Sequence, residues 1–310
     1  MVNPVIVIAG PTASGKSALA LALAESFGGT IVNADALQIY GDLKILSARP
    51  DAAASARVPH RLYGFLDAAD RGSAARWRDL ALAEIAAAHA ASSLPILVGG
   101  SGLYLRALMR GLAPVPEIPA AIREEAVALY RSLGGAQFRE RLAELDAEAA
   151  ARFPPGDRAR LTRAFEVARA TGTPLGDWQR LCDDPAPYRF GTLLLTPPRA
   201  ALYAACDARF VAMVEAGGLE EAAALMARGL APHLPAMKAV GVPELFRHLR
   251  GEIALADAVA AAQQATRRYA KRQLTWFRHQ FDADLICIEQ YSESFQRRSR
   301  HFIDRFLLTR

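Results

Sequence analysis

The sequence predicts an α/β protein, a parallel sheet flanked by helices, built around a phosphate-binding turn and carrying a helical insertion. Three observations lead there. Short β-branched runs alternate with Ala/Leu-rich helical stretches in the first hundred or so residues, the pattern of strands covered by crossover helices. A glycine-rich turn of the form G-x-x-x-x-G-K-[ST] links the first strand to the first helix. Beyond Leu112 no convincing strand occurs until Phe190.

Taken in order, Val5–Ala9 is a short apolar run bounded by turn residues and reads as a buried strand. Ser17–Phe27 is helical and stops at Gly28-Gly29. Thr30–Asn33 reads as a second strand and Asp35–Gly41 as the loop after it. Arg76–Ala91 is helical, and Pro95–Val98 is a strand ending in Gly99-Gly100. The string PVPEIP then acts as a linker, followed by helices at Ala120–Leu133, Ala136–Phe153 and Asp157–Thr171. The loop DDPAPY precedes a returning strand at Phe190–Leu195. Helices at Ala201–Gly217, Leu219–Arg228 and Asp257–Phe281 complete the core. The chain thus divides into residues 1–112, the first part of the core, 113–186, the insertion, and 187–310, the core's return with its C-terminal helices. No internal repeat or low-complexity tail is present.

Composition bounds the function. Of 310 residues, 52% are hydrophobic and 22% charged, which fits a folded domain and excludes wholesale disorder. Lys+Arg minus Asp+Glu is 37 − 32 = +5, an excess that permits a phosphate-rich partner without demanding one. Cys182, Cys206 and Cys287 are widely spaced and form no C-x-x-C pair, against a zinc site or disulfide framework and for a reducing compartment. The start, MVNPVIVIAG, has no basic n-region, and the apolar stretch Ala18–Ala24 is cut short by Glu25. A cytoplasmic protein without a membrane span is expected.

The turn is Gly10-Pro11-Thr12-Ala13-Ser14-Gly15-Lys16-Ser17, between a strand and a helix as this motif requires. Its glycines let backbone amides curl around a phosphate, and the helix N-terminus adds positive potential. Lys16 neutralises phosphate oxygens, and the Ser17 hydroxyl is a ligand for Mg²⁺. A pyrophosphate-bearing ligand follows. Its identity does not, because the strand PILVGG ends in glycines where a Walker-B enzyme places an acid, and no N-K-x-D string is present. Asp35 and Ser101 (in GGSGLY) leave the carboxyl ends of strands, on the side of the phosphate loop, where a carboxylate can accept a proton.

In combination, GPTASGKS, DALQIY, PHRL at 59–62, LVGGSGLYLRAL at 97–108, RLTRAFEV at 160–167 and ATRRYAKRQLTWFR at 265–278 resemble the tRNA dimethylallyltransferase (tRNA isopentenyltransferase) family. The resemblance implies a P-loop kinase-like core with a helical insertion that binds tRNA. It also implies transfer of a dimethylallyl group from dimethylallyl pyrophosphate to the exocyclic amine of the adenosine beside the anticodon. Mg²⁺ is the implied cofactor, the anticodon stem–loop the implied partner, and a monomer the expected state. Asp35 then matches the general base, Lys16 the anion-binding cation, Ser101 a residue contacting base or substrate, and Arg209 an arginine contacting pyrophosphate.

The implied tRNA contacts are Asp35, Ala36, Leu37, Gln38, Ser101, Arg123, Ala159, Arg160, Leu161, Thr162, Arg163, Lys238, Arg268 and Arg272. Arg158 in the insertion and Arg267, Lys271 and Arg278 on the late helix add basic groups, interleaved with Tyr269, Trp276 and Phe277. Such a run fits RNA phosphates, while its aromatic half equally fits core packing. Departures from the family pattern occur at Ala36, Ala159, Ala205, Val242 and Pro243. Three other readings stand beside this one: a small-molecule or nucleotide kinase, an RNA-binding protein without chemistry, and an isopentenyltransferase of free adenine nucleotides.

Overall fold

Alternate residues of the strands point to opposite faces of the sheet, and here both faces are apolar. In the computed structural model, which describes residues 2–181, 185–289 and 291–309, β1 (Pro4–Ala9) sends Ile6 and Ile8 to one face. Val5, Val7 and Ala9 go to the other. A strand buried on both sides has no reason to alternate polar with apolar residues, which is why the run reads as continuously hydrophobic.

The chain continues through α1 (Lys16–Phe27), β2 (Gly29–Asn33), α2 (Ala52–Arg57), β3 (His60–Arg61), α3 (Ala74–Ala90), β4 (Leu94–Gly99) and α4 (Gly102–Arg110). The insertion contributes α5 (Ala120–Ala143), α6 (Ala147–Arg152), α7 (Arg158–Thr171) and α8 (Leu175–Arg180). The core resumes with β5 (Arg189–Leu195), α9 (Arg199–Met213), α10 (Leu219–Ala227), α11 (Val242–Leu249), α12 (Leu255–Gln280), β6 (Leu285–Cys287) and α13 (Glu293–Leu308).

The six strands are all parallel, in the order β3-β2-β4-β1-β5-β6. β1 leads to β2 on one side of itself, and β4 leads to β5 on the other. The carboxyl end of β1 is therefore a switch point, where α/β sheets open a crevice for ligands. One face is covered by Leu19 and Leu23 of α1 with Phe295 and Ile303 of α13. The other is covered by Trp77 and Ile85 of α3, Leu105 and Leu108 of α4 and Phe277 of α12. Trp77 stacks on Tyr104 at 4.6 Å and donates its indole N–H to the Asn33 carbonyl at 2.8 Å, so this large side chain leaves no polar atom unpaired.

Two compact units result: residues 1–109 with 186–310, and 110–185. The second is all helical and has its own core around Phe138, Leu142, Leu161 and Phe165. The break expected between Leu133 and Ala136 is present as Gly134, whose φ of 72° departs from the helix. The single helix expected over Ala136–Phe153 is in fact two. The Asp146 carboxylate accepts the Ala149 and Leu175 amides, both at 2.9 Å, so it caps α6 and ends what composition alone would continue. Cys206 and Cys287 are buried free thiols. Cys182, Asp183 and Asp184 lie outside the described residues. Among the described residues no helix is long and apolar enough to cross a membrane.

Candidate active site

The phosphate loop runs from the end of β1 into α1. Gly15 sits at φ 88°, and a Cβ there would lie 2.6 Å from the Tyr291 Cβ, so both backbone and space demand glycine. Lys16 is buried, with its Nζ donating to the Pro11 carbonyl at 3.2 Å. Burial lowers its pKa to about 8, while the nearby Asp35 charge pushes back. Ser14 is buried with an Oγ that has no hydrogen-bond partner among the described residues. A buried orphan hydroxyl inside the loop is what an incoming phosphate oxygen would satisfy.

Across from the loop, α9 carries Arg209, whose Nη1 donates to Thr12 Oγ1 at 3.0 Å. Burial depresses its pKa too, with Asp35 opposing. A buried lysine and a half-buried arginine beside one phosphate loop constitute a strong anion trap.

Asp35 stands just past β2. Its amide donates to Asn33 Oδ1 at 2.9 Å, and its Oδ1 accepts from the Leu37 amide at 3.0 Å. Its Oδ2 has no hydrogen-bond partner among the described residues. Ser101, at the end of β4, accepts the Ala36 amide on Oγ at 2.8 Å and donates its own amide to the Ala34 carbonyl at 3.2 Å. The two strand ends are thereby tied together, and the Ser101 hydroxyl proton stays available. Asp35 and Arg209 share a pocket with Thr12, Cys206 and Tyr269, walled by Leu37, Leu46, Phe210, Met213 and Val240. Burial, with the Asp35 charge second, pushes the Tyr269 phenol up.

Some sequence expectations land elsewhere. Gln38 donates Nε2 to the Ser47 and Ala48 carbonyls at 3.0 and 2.9 Å, so its amide group holds the loop that supplies Leu46. Arg267 is paired with Asp207 at 2.5 Å, which takes it out of the basic face. Phe277 is fully buried, and Trp276 packs where a Cβ on Gly102 would be, so these two aromatics of the late helix serve packing while Tyr269 lines the site. Arg268, Lys271, Arg272 and Arg278 are exposed. In the insertion, Leu161 and Thr162 are buried, while Arg160 and Arg163 are paired with Asp157 and Glu166. Ala159 is exposed, Arg123 half-buried, and Lys238 exposed in the core unit.

Two site-shaping residues escape a sequence reading. Glu221 at the start of α10 accepts the amides of Lys44, Ile45 and Leu46 at 2.8, 2.8 and 2.9 Å. Gln273 on α12 reaches the phosphate loop itself, its Oε1 accepting from the Thr12 amide at 2.9 Å. A polar residue in the buried Ala270–Gln273–Phe277 stripe is the one sequence signal for it.

Parallel sheet, phosphate loop, two cations beside it and a carboxylate past the neighbouring strand end define a P-loop α/β protein with a site built for a phosphate-bearing anion. The sequence profile of the IPP transferase family matches residues 38–280, and the chain belongs to that family. It is 61% identical over 283 residues to the tRNA dimethylallyltransferase of Rhodospirillum centenum, covering 91% of this chain and 90% of that one. To the Rhodospirillum rubrum tRNA dimethylallyltransferase it is 54% identical over 312 residues, covering 99% and 96%. Among solved structures, the tRNA isopentenylpyrophosphate transferase of Bacillus halodurans matches with a TM-score of 0.70 at 30% identity, over 98% of this chain and 96% of that one. A eukaryotic dimethylallyltransferase acting on tRNA shares the fold, with a TM-score of 0.81 at 24% identity over 98% and 80% of the two chains.

Proposed function

We propose that this protein transfers a dimethylallyl group from dimethylallyl pyrophosphate to N6 of the adenosine 3′-adjacent to the anticodon of tRNA, releasing pyrophosphate. The observation that carries the reading is Asp35, held with Ser101 at the strand ends next to the two cations Lys16 and Arg209, in a phosphate-loop site without a Walker-B acid. A kinase needs that acid for its metal. An alkyl transfer needs a base and a trap for the leaving group instead.

The pyrophosphate lies in the loop, against Lys16, Arg209, the Ser14 hydroxyl and the amides of residues 13–17. The Thr12 amide is already committed to Gln273. The five-carbon group extends along Leu37, Leu46, Phe210 and Met213. As the allylic C–O bond breaks, its electron pair goes to pyrophosphate, where Lys16 and Arg209 receive the charge. The adenine N6 forms the new C–N bond and gives up a proton to Asp35 Oδ2, while Ser101 offers its hydroxyl to the base. A stacked base cannot reach this crevice, so the adenine is extruded from its loop.

No cluster of three or more acidic, His or Cys residues able to cage a metal occurs among the described residues. A Mg²⁺ ion bound together with a diphosphate would need few protein ligands of its own. The exposed Ser17 hydroxyl at the start of α1 would hold it, and bound Mg²⁺ supplies further charge neutralisation to the leaving group. The protein acts as a cytoplasmic monomer in this reading.

The acceptor is tested by competition. With labelled dimethylallyl pyrophosphate and equal concentrations of unmodified tRNA and AMP, label is expected on tRNA; label on AMP would move the protein to the free-nucleotide class. In R268E/R272E, tRNA labelling falls at low salt and the salt slope of tRNA binding shrinks by about two. An unchanged slope returns both arginines to the solvated surface.

A further inference from the structure

We propose that Gln273 is a positioning residue for the transfer reaction, a bolt that fixes the mouth of the phosphate loop against the strand end carrying Ser101. Its side chain is buried, 6% exposed. Oε1 accepts from the Thr12 amide at 2.9 Å and Nε2 donates to the Gly100 carbonyl at 3.0 Å. One planar amide therefore satisfies a donor on one loop and an acceptor on the other, with no flexible group between them.

The surroundings are shaped for it. A Cβ on Gly100 would fall 2.2 Å from Gln273 Nε2, so glycine there clears room for the bridge. One turn later on α12, Trp276 fills the space over Gly102. Ser101 lies between these two glycines and is fastened to Ala34 and Ala36, the residues either side of Asp35. Thr12 is held at both ends, its amide by Gln273 and its hydroxyl by Arg209. The bridge thus joins the group that receives the leaving diphosphate to the group that receives the proton.

This has two consequences. The Thr12 amide is removed from the anion cradle, so the donor is bound by the amides that follow it. The distance between leaving-group trap and base is also set by α12, whose exposed side carries Arg268 and Arg272. A transfer reaction needs both ends of the reacting bond held in one geometry, and small misplacements are costly.

The inference rests on the prenyl-transfer reading only for its turnover measurement, because pyrophosphate binding can be followed alone. Gln273→Met keeps size and shape but loses both hydrogen bonds. In this variant the Kd for pyrophosphate, by calorimetry, is expected to rise about tenfold. The KM for dimethylallyl pyrophosphate should rise and kcat should fall, while the tRNA Kd stays within twofold. Gln273→Glu, which keeps the acceptor for Thr12 but sets an oxygen against the Gly100 carbonyl, should recover less than the wild-type donor affinity. Gly100→Ala pushes the same amide aside from the opposite loop and should give the same donor-selective signature, which covers the case of a Gln273→Met protein that does not fold. Equal loss of tRNA and donor affinity, or donor parameters within twofold of wild type in either folded variant, would overturn the assignment. Wild-type protein that binds pyrophosphate yet alkylates no tRNA would sink the reaction and leave the bridge standing.

Discussion

Asp35→Asn is expected to lower kcat by about 100- to 10,000-fold while donor affinity near neutral pH stays within a few-fold of wild type. Asparagine retains an oxygen for the Leu37 amide, so the turn after β2 keeps its shape. What disappears is the acceptor for the N6 proton. Single-turnover kinetics with preloaded donor separates this from binding, because only the chemical step should slow. The variant also loses the negative charge that supports the Lys16 ammonium. Its donor affinity should therefore begin to fall at lower pH than in the wild type. Wild-type turnover in Asp35→Asn would remove the carboxylate from the mechanism.

Lys16→Ala is the second large effect. Removing one partner of a buried charged contact costs about 2–5 kcal/mol, which corresponds to a rise in donor KM of about 30-fold or more. The same residue gives the site its pH dependence. Burial lowers the Lys16 pKa to about 8 in the empty enzyme, and only the ammonium form holds the diphosphate well. Donor Kd should therefore be flat below about pH 8 and rise about tenfold per pH unit above it. A bound polyanion favours the protonated lysine, so binding near that pH takes up a proton, seen as a dependence of the calorimetric heat on buffer ionisation. Lys16→Arg keeps its charge and should flatten the alkaline limb. A flat wild-type profile to high pH would show that Lys16 is not the titrating contact.

The parts of the site legible in sequence are those that local chemistry fixes. The phosphate loop needs two spaced glycines, a lysine and a hydroxyl between strand and helix, and Gly10–Ser17 supplies them in one string. Asp35 and Ser101 were readable because parallel strands deliver their carboxyl ends to one edge. The sheet itself followed from runs buried on both faces, such as Val5–Ala9. What stayed hidden depends on tertiary partners. Gln273 is 261 positions from Thr12, and its place in the Ala270–Gln273–Phe277 stripe marks it as buried without saying which groups it meets. Glu221 looks like an ordinary first-turn acid until the amides of residues 44–46 are folded onto it. Arg267 and Arg268 are neighbours of identical type, and only the placement of Asp207 pairs one and leaves the other exposed. The short strands β3 and β6 carry too few residues to show a period. The amphipathic helix α11 lies between segments that dominate the apolar pattern, and α13, the last element, is rich in arginine with a narrow apolar stripe. In the insertion, helix propensity ran smoothly through Asp146, and the break came from its carboxylate reaching Leu175.

The most direct measurement incubates the purified protein with dimethylallyl pyrophosphate, Mg²⁺ and unmodified tRNA, then identifies the nucleosides by mass spectrometry with ATP consumption followed in parallel. A prenylated adenosine beside the anticodon, formed with one pyrophosphate released per transfer and no dependence on ATP, is the expected result. Brisk ATP turnover with every tRNA nucleoside unalkylated would contradict it.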